Sequence, residues 1–67
     1  MRNIKRIKPI IEKLEEIWNI HPDQRFGQLL GNVIGDISSE EKLGDIFFPE
    51  DDEWLEYLDN YIKKHKK

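Results

Sequence analysis

The sequence predicts an all-α fold, a compact three-helix domain. Two observations carry this: apolar residues recur at steps of three and four in three separate stretches, and helix start and stop signals bracket those stretches. The helices are expected at about 9–19, 23–35 and 50–64, with a folded-back apolar loop at 36–48.

In the first stretch Ile4, Ile7, Ile11, Leu14 and Trp18 mark one face, and Ile10 and Ile17 widen it. That face is expected to be buried. Because proline is tolerated only in a helix's first turn, Pro9 predicts a separate turn or kinked start over 3–8. Residues Asn19 to Pro22 are too few for anything but a tight corner, so the next helix should run antiparallel to the first, with Ile20 plugging the corner. The second helix can begin with Pro22 at its first position or with Asp23 as N-cap. It carries Phe26, Leu29, Leu30, Val33 and Ile34 on one side and glycines at 27, 31 and 35 on a flank, with Gly35 a candidate C-terminal cap.

Residues 36–48 lack a period, apart from a single turn that Ser38 or Ser39 can cap over Glu40 to Leu43. Ile37, Leu43, Ile46, Phe47 and Phe48 are too many apolar residues for a solvated linker, so the segment should complete the core, with Phe47 and Phe48 as its plug. The last helix opens with Pro49, Glu50, Asp51, Asp52 and Glu53 and closes with Lys63, Lys64, His65, Lys66 and Lys67. Both ends match the helix dipole. Trp54, Leu55, Tyr57, Leu58, Tyr61 and Ile62 form its apolar stripe.

A chain of 67 residues makes one domain, residues 1–67, and buries only about 60% of the surface its unfolded form exposes. Disulfides, structural metals or oligomerisation normally support so small a core. With no cysteine, oligomerisation is the support that remains, and a homodimer is the expected assembly. No apolar run approaches the roughly 20 residues of a membrane span and no signal-peptide pattern opens the chain, so a cytoplasmic protein without a membrane partner is expected.

Charged residues make up 37% of the chain with a net charge of -3. Residues 1–13 hold five basic side chains against Glu12 alone, residues 14–59 hold thirteen acids against Arg25 and Lys42, and four lysines close the chain. The basic groups Arg2, Lys5, Arg6 and Lys8 and the terminal lysines can contact phosphates, and Trp18, Tyr57 or Tyr61 can stack on bases. In an up-down-up bundle these two groups sit at opposite poles, which makes a nucleic-acid partner the weaker expectation.

No catalytic constellation emerges. Ser38 and Ser39 are the only aliphatic hydroxyls and have no base at a recognisable spacing. Glu50 to Glu53 splay around a helix turn and lack the EF-hand pattern, and His21 and His65 are too few for a histidine metal site. The expectation is no cofactor, no metal and no enzyme. The glycine ridge is expected to admit another helix of the same chain closely, with a second protomer or a target as the alternative. The candidate partner-binding residues are therefore Arg25, Gln28 and Asn32, a polar strip along the second helix, together with Gly27, Gly31 and Trp18. Arg25 can fork onto a carboxylate.

Pro22-Asp23-Gln24-Arg25-Phe26-Gly27-Gln28-Leu29 after Ile17-Trp18, followed by Asp45-Ile46-Phe47-Phe48 and the acidic start Glu50-Asp51-Asp52-Glu53, resembles a group of small bacterial and phage proteins. The likeness covers almost the whole chain. It implies a compact helical domain in a setting where phage genes are common, where such proteins often blunt a host enzyme or defence system. The group has no established activity, so no catalytic residue carries over. The functional expectation is a non-enzymatic, self-associating protein-interaction module that regulates or inhibits a host protein; the alternative is a small nucleic-acid-associated regulator using its basic termini.

Overall fold

The computed structural model describes residues 3–66, so Arg2 and Lys67 of the two basic ends lie outside the described residues. The described chain is all-α: a 3-10 turn at Ile4–Arg6, then α1 (Ile7–Ile20), α2 (Phe26–Glu40) and α3 (Asp51–His65). α1 starts two residues before Pro9. The first four N–H groups of a helix have no partner inside it, so proline at the third position of α1 forfeits no hydrogen bond. Ahead of it, the Asn3 side chain accepts from the Lys5 N–H at 2.9 Å and caps the 3-10 turn.

α2 begins at Phe26, three residues after the predicted start. Pro22 and Asp23 instead occupy a turn in which the Gln24 N–H donates to the His21 carbonyl. The Trp18 indole N–H donates to the Gln24 carbonyl at 2.9 Å, which keeps that carbonyl out of the helix. The Leu29 N–H donates to the carbonyl of the N-cap residue Arg25 at 2.8 Å, the ordinary i to i−4 bond with which α2 begins.

Gly35 does not end α2, which runs on to Glu40, so Ser38 and Ser39 lie inside it rather than capping a separate turn over Glu40 to Leu43. The stop lies at Lys42, whose φ of 54° is left-handed. The next residue, Leu43, donates its N–H to the Ser38 carbonyl at 2.9 Å, closing a Schellman motif, and its side chain packs on the core. α3 starts with a capping box between Glu50 and Glu53, the Glu50 N–H donating to the Glu53 carboxylate at 3.1 Å. Three acids fill its first turn and Lys63, Lys64 and His65 its last, each end answering the helix dipole.

α1 and α3 lie side by side and parallel. Arg6 pairs with Asp51 at their starts, Lys13 with Asp59 at 2.9 Å along their length, and Lys66 with Glu16 at 3.7 Å towards their ends. α2 crosses this pair. Its start meets α1 through Phe26 and Trp18, ring centroids 5.6 Å apart, while Glu40 at its end pairs with Lys64 at the end of α3. In the antiparallel hairpin expected from the short corner, Glu40 would sit beside the start of α3, about 20 Å from Lys64 at 1.5 Å per residue. The crossing lets Leu29, Val33 and Ile37 reach both helices, and they join Ile17, Leu58, Tyr61 and Ile62 in the buried core.

Two packing expectations are overturned. Phe47 and Phe48 are 87% and 82% exposed and plug nothing. The Phe47 N–H donates to the Asp45 carboxylate at 2.9 Å and the Phe48 N–H to the Asp45 carbonyl at 3.1 Å, a turn that leaves both rings outside. Of the predicted loop, only Leu43 closes on the core, Ile37 being helical. The predicted face of α1 is buried only along one flank: Ile4, Ile7 and Ile11 are at least half exposed, while Leu14, half-buried, packs against the core together with Ile10 and Ile17.

Candidate protein-docking surface

The outward rotation of α1 follows from its partners. Arg6 and Lys13 reach across to α3, so α3 covers the side that also carries Ile10 and Ile17. At 100° per residue, Ile7, Ile11 and Trp18 fall past the edge of that contact, and Ile4 is exposed in the 3-10 turn that leads into α1. Ile4, Ile7, Ile11 and Trp18 form an apolar seam, 76%, 50%, 55% and 36% exposed in order.

α2 extends the seam. Phe26 is half exposed and tilts against Trp18, and with Ile11, Leu14, Glu15 and Trp18 it lines a cleft of about 470 Å³. Leu14 also belongs to a neighbouring groove of about 160 Å³, lined by Ile10, Leu30, Val33, Ile34, Trp54 and Leu58. Leu14 lines both depressions.

Among the described residues the glycine ridge has no neighbour. A Cβ added at Gly27, Gly31 or Gly35 would meet nothing within 4 Å, so the expected close helix contact is absent. The reason is angular: the buried stripe of α2 is Leu29, Val33 and Ile37, and the glycines lie far around the helix from it. Packing within the chain does not offset their cost of about 0.5 to 1 kcal/mol each.

Arg25, Gln28 and Asn32 are all exposed. Asn32 donates to the Gln24 side chain at 3.3 Å, and Arg25 pairs with no carboxylate among the described residues, α3 included. Arg25 sits at the N-cap of α2 in extended conformation without a side-chain cap, next in the chain to Phe26. Trp18 forms one wall of the apolar cleft. The structure thus brings Trp18 to the exposed face, with Arg25 adjoining Phe26, while Gln28 and Asn32 line another side of α2.

Sequence reasoning did not anticipate the exposure of Ile7, Ile11, Phe26, Phe47 and Phe48. Periodicity reports that residues share a face but not whether another element covers it. The available signal was a surplus of apolar faces for so short a chain.

The electrostatics are local. Hydrogen bonding to Lys13, then to Lys63, holds the Asp59 carboxyl below the usual range, and the same contact with Asp59 raises Lys13. Burial, then the charge and hydrogen bond of Asp36, push Tyr61 up. Arg6, Lys13, Lys63, Lys64 and Lys66 each pair with a carboxylate, so these basic side chains already have anionic partners. His21 closes the end of α1 through its backbone and meets His65 edge-on, ring centroids 5.7 Å apart.

Among the described residues, no group of three or more histidine or acidic side chains can hold a metal ion, and no helix is long and apolar enough to cross a membrane. Comparison with known proteins returns no match among family models, curated proteins or solved structures.

Proposed function

We propose that this chain is a non-enzymatic protein-binding module that self-associates and, in a phage-linked setting, docks on a host protein. One observation carries the reading: a domain this small leaves two large apolar surfaces uncovered, the face of α1 with Phe26 and the loop bearing Phe47 and Phe48. Aromatic anchors of this kind dominate binding energy at protein interfaces. Arg25 supplies a fork for a carboxylate beside Phe26. The phage setting rests on the resemblance around Pro22 to Leu29.

The test is affinity capture from the native host, read by mass spectrometry, with the natural chain and two folded variants, Ile11→Glu and Phe47→Ser/Phe48→Ser. Loss of a specifically retained protein in either variant supports the reading. Identical captures by all three chains overturn it.

A further inference from the structure

We infer that the exposed seam of α1 is covered by the same seam of a second copy, running antiparallel about a two-fold axis at Ile11. This deepens the self-association proposed above and rests on it. Three observations converge on a second copy.

The first is area. The chain exposes 5368 Å², whereas a folded monomer of its mass exposes about 4,500 Å². The excess of about 900 Å², summed over the whole chain and including the exposed Phe47 and Phe48, is on the scale of the roughly 800 Å² that each partner buries in a standard interface.

The second is spacing. Ile4, Ile7, Ile11, Leu14 and Trp18 alternate steps of three and four, the a and d pattern of a helix that packs lengthwise on another helix. The pattern is nearly symmetric about Ile11: Ile4 and Trp18 lie seven residues to either side, Ile7 four before and Leu14 three after. With the copies antiparallel, Ile11 meets the partner's Ile11, Ile4 meets the partner's Trp18, and Ile7 falls within one residue, about 1.5 Å, of level with the partner's Leu14. Each apolar residue finds an apolar residue of the same set, as a two-fold interface requires.

The third is charge. Lys8 and Glu15 are both exposed and lie seven residues apart, so at 100° per residue they share one edge of the seam. In the antiparallel register Lys8 faces the partner's Glu15, and the symmetry makes the contact twice. A parallel pairing would set lysine level with lysine and glutamate level with glutamate. The basic first half of α1 and its acidic second half thus select the antiparallel arrangement.

Sedimentation equilibrium over tens to hundreds of micromolar tests this, with helical content followed by circular dichroism. The natural chain is expected to form dimers and Ile11→Glu to remain a folded monomer. Lys8→Glu alone and Glu15→Lys alone should each weaken the dimer roughly tenfold, since each creates two like-charge contacts. An equimolar mixture of those two variants should restore it, because lysine then meets glutamate at both contacts. A folded natural chain that stays monomeric throughout, or a dimer indifferent to both single charge reversals, overturns the inference. If it falls while Ile11→Glu still loses a captured host protein, the docking surface stands and its occupant is that protein.

Discussion

Trp18 and Phe26 hold their ring centroids 5.6 Å apart across the junction of α1 and α2, yet 36% of the first and 51% of the second remain open to solvent. The pair is anchored from beneath by the Trp18 indole bond to the Gln24 carbonyl, so it presents a preformed rather than an adaptable surface. Covering it changes the polarity around Trp18. In a Trp54→Phe background, which leaves Trp18 as the only tryptophan, indole emission should shift to shorter wavelength as concentration rises. Ile11→Glu should abolish that shift, and emission independent of concentration would contradict a covered face.

The two exposed phenylalanines separate the folded structure from the plug that the sequence suggested. Phe47→Ser/Phe48→Ser should change unfolding free energy by no more than about 0.5 kcal/mol for each position, the range of surface substitutions. A core plug would lose about 3 to 5 kcal/mol for each ring removed. Leu29→Ala, at a site with no exposure, should cost about 2 to 5 kcal/mol. Urea denaturation at low micromolar concentration distinguishes these cases.

Gly27, Gly31 and Gly35 occupy helical positions with open space where a Cβ would go. Alanine at each should stabilise the folded chain by about 0.5 to 1 kcal/mol, by restricting the unfolded chain. The effects should add nearly independently in denaturant titrations. A loss of stability at any of the three would mean that a neighbour approaches the ridge.

Lys42 is the residue that the closure of α2 forces into a left-handed conformation, at φ 54°. Glycine adopts that region without steric cost, so Lys42→Gly should raise stability by about 1 kcal/mol. Gly44 lies two residues beyond the position that needs it and has no positive φ. Gly44→Ala should therefore leave thermal stability unchanged or slightly increased.

Asp59 joins α1 to α3 through Lys13 and pairs with Lys63 in its own helix. Its carboxyl is depressed in the folded chain, so its contribution is present above the ordinary carboxylate value of about 4 and is lost as pH falls through the lower folded value. Asp59→Asn should lower the urea midpoint at pH 7, and the difference from the natural chain should disappear in acid. Tyr61 acts at the opposite limit. Its folded value is raised, so its contribution is complete below the ordinary tyrosine value of about 10 and is lost as pH rises past it.

Local chemistry made much of this fold legible in the sequence. Asp51, Asp52 and Glu53 against Lys63 and Lys64 located α3 to within a residue, because capping and dipole terms act over a single turn and need no partner element. The same locality explains the misplaced ends of α2. Its start depends on a bond from Trp18, and its stop on a lysine in a conformation that composition does not favour.

The candidate surface was legible only in part. Trp18 and Arg25 could be singled out as residues for a partner, but the seam of Ile4, Ile7 and Ile11 has the same spacing whether buried or bare.

By itself the sequence determined that the chain forms three amphipathic helices with matched charges at the ends of the last. It also determined that no cysteine would staple so small a core. The tertiary structure decided which side of each helix faces inward. That choice follows from α2 crossing a parallel pair rather than lying along it, so that Ile17, Leu29 and Val33 meet at the crossing while the seam on α1 and the ridge on α2 are left open. A crossing is set by which side chains interdigitate across elements far apart in the chain, and helical periodicity, which relates only neighbours within one element, carries no record of it.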